Sequence, residues 1–220
     1  MRKLISNLKK SEEVMLLVIL STLCVFLSIV RLLLTHSRGY IFLNWNLFLA
    51  IIPWAIIRFY TNKSSVRLSV IEVITILGSW LLFFPNAPYI LTDLFHLSYN
   101  SSAPIWFDLI LILMFAWTGL LFGLFSLLQI ESLMKNFINE SFIRYISIFV
   151  LFLSSFGIYL GRYLRWNSWD IINHPIGLFY DIGTRVIHPL SHPQTWGMTL
   201  ILGLFLNVVY YSFRLIGKNN

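Results

Sequence analysis

Charge is scarce in this sequence. Asp, Glu, Lys and Arg together make up 11% of its 220 residues, where soluble domains carry about 25%, so no separate water-facing globular domain fits. Cysteine is nearly absent as well. Cys24 stands alone, which rules out an intrachain disulfide or a cysteine metal cluster and leaves it as a small residue facing lipid or a neighbouring helix. No H-E-x-x-H, G-x-S-x-G or phosphate-cradling glycine loop occurs, so motifs name no catalytic class, no cofactor and no metal site. Low-complexity tracts and internal repeats are missing too.

What is present is apolar. Hydrophobic residues make up 58% of the chain, in runs at 14–34, 41–60, 68–84, 105–130, 142–160 and 197–216. A hydrocarbon layer about 30 Å thick needs about 20 such residues per helix, so the chain reads as a single all-α, polytopic transmembrane bundle of about six spans over residues 1–220. The first run is longer than a signal-peptide core and lacks a small-x-small cleavage site, so it is expected to be retained. Pro53 falls inside the second run, where a kink is expected and a break is not. Trp45, Trp106, Trp166, Trp169 and Trp196 lie near span ends, as an aromatic belt requires.

The net charge of +7 is explained by topology and calls for no nucleic acid. Eleven of the 16 Lys and Arg residues fall on one side of the runs, including Lys10, Arg58, Lys63, Arg67, Lys135, Arg144 and Arg214. Arg31, Arg38, Arg162, Arg165 and Arg185 fall on the other. The positive-inside rule makes the richer side cytoplasmic and places both termini there. All four aspartates and all five histidines then fall on the outer side, and the glutamates on the inner half.

Two outer segments concentrate polar chemistry. The first is Phe84-Pro-Asn-Ala-Pro-Tyr-Ile-Leu-Thr-Asp-Leu-Phe-His-Leu97. Its two prolines end the third run, and residues 89–97 fit a short helix lying in or dipping back from the interface. Asp93 and His96 share a helical face there. A carboxylate orienting an imidazole serves general bases and metal ligands, and is equally a common local hydrogen-bonded pair. The second is Gly157-Ile-Tyr-Leu-Gly-Arg-Tyr-Leu-Arg-Trp-Asn-Ser-Trp-Asp170. If the helix continues, Tyr159, Arg162, Tyr163 and Trp166 form one stripe. Two arginines among aromatics can clamp a phosphate or carboxylate, or snorkel to lipid phosphates. Arg162, nearer the apolar core, is expected to find Asp108 or Asp93. The two segments are expected to meet, with Asn86, Tyr89, Asp93, His96, Asp108, Arg162, Arg165, Trp166, Asn167 and Asp170 as the candidate ligand-binding residues.

The outer stretch from Ile171 to Trp196 carries three His-Pro pairs, so His188 and His192 are not a helical metal pair. Its apolar content predicts a lid or interfacial helix. Glu72, one turn past Arg67, is expected to snorkel or pair with Arg58 or Arg144, with a proton relay as the alternative. Arg31 is expected to be an interfacial anchor.

The Asn86-Ala-Pro-Tyr-x-x-Thr-Asp-x-x-His96 and Gly161-Arg-x-x-Arg-Trp-Asn-Ser-Trp-Asp170 motifs resemble a family of uncharacterised bacterial integral membrane proteins, classed only as a domain of unknown function. The resemblance covers nearly the whole chain. It implies a multi-pass protein of the bacterial inner membrane and assigns no activity and no functional residues.

Three functions remain open at this level. One is binding or transport of an anionic small molecule or lipid headgroup at an outward polar site. Another is a membrane-embedded hydrolase or transferase acting on a lipid-linked or envelope substrate, with Asp93 and His96 as catalytic candidates. The third is an assembly subunit whose polar residues only satisfy one another. The lipid bilayer is a partner in all three.

Overall fold

The computed structural model describes the backbone of residues 2–63, 69–98 and 101–218, and the side chains of 11–60, 69–98 and 101–216. Arg67 lies outside the described residues. Within them the chain is helical, without a strand. The elements are α1 (Arg2–Thr35), α2 (Phe42–Lys63), α3 (Val70–Phe83), α4 (Asn86–Tyr89), a 3-10 turn (Ile90–His96), α5 (Ile105–Met134), α6 (Glu140–Leu164), α7 (Asp170–Asn173), α8 (Pro175–Ile187), a second 3-10 turn (Pro189–Ser191) and α9 (Pro193–Lys218). Six helical stretches are long and apolar enough to cross a membrane: Ser11–Thr35, Phe42–Tyr60, Val70–His96, Ile105–Met134, Glu140–Leu164 and Pro193–Ile216. These agree with the six runs in the sequence, and the third reaches further than its run. Helix α3 has 14 residues, about 21 Å at 1.5 Å per residue, so α4 and the 3-10 turn complete the crossing length.

The chain forms two compact units, residues 1–62 with 86–126 and residues 63–85 with 127–220. In the first, Leu17, Leu43, Leu47, Ala50, Ile57, Leu111, Ile112 and Phe115 are buried. Lipid gives such helices no hydrophobic reason to associate, so small residues and polar contacts hold them together. Asn44 Nδ2 donates to Ser28 Oγ at 2.7 Å, and Trp54 Nε1 donates to Glu13 Oε1 at 2.7 Å. Cys24 is fully buried, with its sulfur 3.3 Å from Thr118 Oγ1, so it faces a helix. Pro53 stays inside α2. Gly119 receives the 86–96 segment: a Cβ there would lie 2.7 Å from Ile90 Cδ1 and 2.9 Å from the Ala87 carbonyl. Ala87, Pro88, Ile90, Thr92 and Asp93 are accordingly buried. The segment is helical, as its sequence predicts, and these residues pack it into the unit.

In the second unit α6 and α9 pack closely against each other. Gly203 makes this possible, because a Cβ there would run into the Phe152 ring. The Phe156 and Trp196 rings stack at 5.8 Å. Helix α3 opens with a capping box, Ser69 accepting from the Glu72 N–H and the Glu72 carboxylate accepting from the Ser69 N–H at 2.7 Å. Glu72 therefore has a local role as the reciprocal partner of this cap. Each His-Pro pair marks a helix start, with proline as the first residue of α8, of the second 3-10 turn and of α9. Proline suits that position because its missing N–H would be unbonded there anyway.

Candidate functional site

In the first unit the polar chemistry gathers at the α1–α2 connection and the start of α5. Asp108 lies in the first turn of α5, where the helix dipole favours a carboxylate. Its Oδ1 accepts from Arg31 Nε at 2.6 Å and its Oδ2 from an Arg31 terminal nitrogen at 3.3 Å. Ser101 Oγ bonds to the same carboxylate and accepts from Arg31 at 3.0 Å. The Arg31 and Asp108 side chains are 4% and 0% exposed. Arg31 is thus a buried partner of Asp108 and not the lipid-facing anchor that its position in an apolar run suggests.

Tyr40 covers this pair, with the Arg31 guanidinium 4.3 Å from the centre of its ring, within the range of a cation–π contact. Its hydroxyl donates to the His96 carbonyl at 2.8 Å. Burial first, and then the Asp108 carboxylate, push the Tyr40 phenol above its ordinary pKa, while Arg31 acts against them. The phenol therefore stays protonated and able to donate. Asp93 is fully buried and accepts from Asn46 Nδ2 at 2.7 Å. His96, three residues on, is exposed, with its ring edge-on to Phe42 at 5.0 Å. Asn86 and Tyr89 are half-buried in α4 beside them.

In the second unit α6 ends at Leu164, and Arg165 turns into the left-handed region at φ 62° and ψ 28°. The expected stripe therefore stops before Trp166, whose backbone N–H donates to the Leu160 carbonyl at 3.2 Å. The Trp166 indole donates to Asp181 at 2.8 Å and packs over Gly177, where a Cβ would lie 3.1 Å from the ring. With Phe156, Tyr159, Leu160, Leu178 and Ile182 it pins α8 onto α6. Trp196 is likewise turned inward, donating to the Arg185 carbonyl at 3.0 Å. Trp45 and Trp106 remain exposed, as belt residues should be.

Asp170 holds the turn before it. Its Oδ2 accepts from the Asn167 N–H at 2.7 Å and from Asn167 Nδ2 at 3.2 Å. Ser168 Oγ donates to the Leu82 carbonyl at 3.0 Å. Trp166, Asn167, Ser168 and Asp170 therefore build the α6–α7 corner. The residues this corner presents are Arg165 and Tyr163, both exposed, with Arg162 half-buried and Tyr163 stacked on Tyr159 at 5.0 Å.

Sequence reasoning missed one further charged cluster. Glu131, at the end of α5, is 4% exposed. It accepts from Ser147 Oγ at 2.6 Å and meets Arg214 at 3.2 Å. An acid that closes an apolar run, with an arginine near the end of another span, was the available signal. Among the described residues no three His, Cys, Asp or Glu side chains are grouped to hold a metal ion.

No curated protein and no solved structure matches the chain. One family matches residues 45–209, a range that contains both polar segments. The chain therefore belongs to the family described as protein of unknown function DUF1361, and within it is a multi-pass helical membrane protein.

Proposed function

We propose that this protein binds an anionic group, a phosphate or carboxylate of a lipid headgroup or small molecule, at the outward end of α6, with Arg165 and Arg162 as its ligands. The observation that carries this reading is the backbone of Arg165. A left-handed conformation costs a non-glycine residue about 1–2 kcal/mol, and glycine is the usual residue at such a helix end. Arginine in that place exposes a guanidinium just past the helix, braced by a corner whose polar groups are bonded within it and to Leu82 and Asp181. A cation in the last turn is favoured by the helix dipole, which accounts for Arg162 but leaves the left-handed arginine unexplained. A guanidinium can grip a phosphate or carboxylate through two parallel N–H bonds. The location assumed is a bacterial inner membrane, as the resemblance implies, with the site on its outer face from the distribution of Lys and Arg.

The test is lipid and ion binding by the full chain. Purified protein is offered phosphatidylglycerol, phosphatidylcholine or inorganic phosphate, and retention is read by native mass spectrometry. Preference for phosphatidylglycerol, lost in Arg165→Gln, supports a headgroup site. Binding of inorganic phosphate, lost in the same variant, supports a small anion. Equal retention of both lipids by wild type and variant, with no phosphate bound, refutes the reading.

A further inference from the structure

Helix α9 carries a polar stripe along its whole crossing length. Thr195, Thr199, Gly203, Asn207, Tyr210 and Arg214 succeed one another at intervals of three or four residues, which places them on one face. From Thr195 to Arg214 the stripe spans about 28 Å at 1.5 Å per residue, close to the thickness of about 30 Å of a hydrocarbon layer. It faces the bundle and not lipid, since Thr195, Thr199, Asn207 and Tyr210 are all buried. Helix α6, packed closely on α9, adds the buried Ser147 and Ser154.

Four side-chain oxygens along this line have no hydrogen-bond partner among the described residues: Thr195 Oγ1, Thr199 Oγ1 and Asn207 Oδ1 of α9, and Ser154 Oγ of α6. Hydroxyls in membrane helices ordinarily return to the carbonyl four residues back, as Ser155 does to Leu151 at 2.9 Å. Buried polar groups left unbonded are costly and rare, and four within one helix pair call for a polar partner such as water. One end of the line is charged. The groups facing Glu131 are Arg214, Tyr210 and Tyr211 from α9 and the Ser147 hydroxyl from α6. Lys135, on the same helix as Glu131, pairs instead with Glu140 at 2.7 Å. The Tyr210 hydroxyl is buried on the same side. Midway, the Phe152 ring seated on Gly203 divides Thr195 and Thr199 from Asn207, Tyr210 and Glu131.

We propose that the α6–α9 stripe conducts protons across the membrane, with Glu131 as the group that takes up and releases them and Phe152 as the constriction. A proton arriving along the hydroxyl line adds to a Glu131 carboxylate oxygen as an O–H bond and weakens its pairing with Arg214. It then leaves to water at the Arg214 end, restoring the pair, so nothing is oxidised or reduced. None of these residues takes part in the anion reading, and either proposal can fail alone.

The full chain is reconstituted into phosphatidylcholine vesicles containing a pH-sensitive dye, and a potassium gradient with valinomycin drives proton entry. Flux above that of protein-free vesicles is expected, with loss of flux in Glu131→Gln. Thr199→Val keeps the shape of the side chain and removes its hydroxyl, and should lower flux by about fivefold. Phe152→Ala should raise it. As a check independent of flux, a hydrophobic carbodiimide, which modifies protonated carboxyls in apolar surroundings, should label Glu131 of the wild type more as pH falls. Wild-type flux equal to that of empty vesicles, or unchanged flux in Thr199→Val, overturns the proposal, as does labelling of Glu131 that does not vary with pH.

Discussion

Removing one member of the Arg31–Asp108 pair should destabilise the protein severely, whereas removing both should not. The pair is enclosed, at 4% and 0% side-chain exposure. In Asp108→Leu the guanidinium loses both carboxylate bonds, at 2.6 and 3.3 Å, and keeps Ser101 and the Ser37 carbonyl at 3.4 Å. Breaking a buried pair from one side costs about 3–5 kcal/mol, because an uncompensated charge is left behind, while replacing both partners with apolar residues is often close to neutral. Total stabilities of about 5–15 kcal/mol make the single losses large. Arg31→Met and Asp108→Leu should therefore each lower the unfolding free energy by about 3 kcal/mol or more, and the double variant by about 1 kcal/mol or less. The assay is reversible unfolding of the full chain in mixed detergent micelles, monitored by circular dichroism. Additive effects in the double variant would refute the reasoning. So would a loss of less than about 1 kcal/mol for Arg31→Met, the value for an exposed charge.

Ser69→Ala should cost about 1 kcal/mol through loss of the α3 cap, whereas Glu72→Gln should be nearly neutral because glutamine serves the same position of a capping box; unfolding of both variants checks this. Gly119→Ala should cost about 1–3 kcal/mol by pressing on Ile90 and the Ala87 carbonyl, with partial recovery in Gly119→Ala/Ile90→Val, measured as thermal midpoints. A reporter active only outside the cytoplasm should work when fused after Ser98 or His192 and fail after Lys63, Asn136 or Lys218, and activity after Lys63 would overturn the orientation.

The six spans are legible in the sequence because hydrophobic run length is a property of the bilayer and needs no tertiary information. Pro85 marks the end of α3 and the His-Pro pairs mark breaks, since proline acts through its own backbone. Pairings between distant residues are less accessible. Arg31 and Asp108 are 77 positions apart, and nothing local distinguishes Arg31 from an arginine that snorkels to a headgroup. Arg165 carries no warning either, because a left-handed helix end has its local signal in glycine, and here the residue is not glycine. The Ser69-x-x-Glu72 box, by contrast, stands in plain view as a local motif. It is easily missed because an acid beside a span invites an intramembrane reading.

The most direct test of the anion reading is Arg165→Gly, which separates the backbone of that residue from its guanidinium. Glycine adopts the φ of 62° without strain, so relief of about 1–2 kcal/mol set against the entropy of a glycine, about 0.5–1 kcal/mol, should leave the variant as stable as the wild type or slightly more so. Its retention of phosphatidylglycerol and of inorganic phosphate should nevertheless fall to the phosphatidylcholine background. A variant at least as stable as the wild type that binds anions as well as it does would contradict the account.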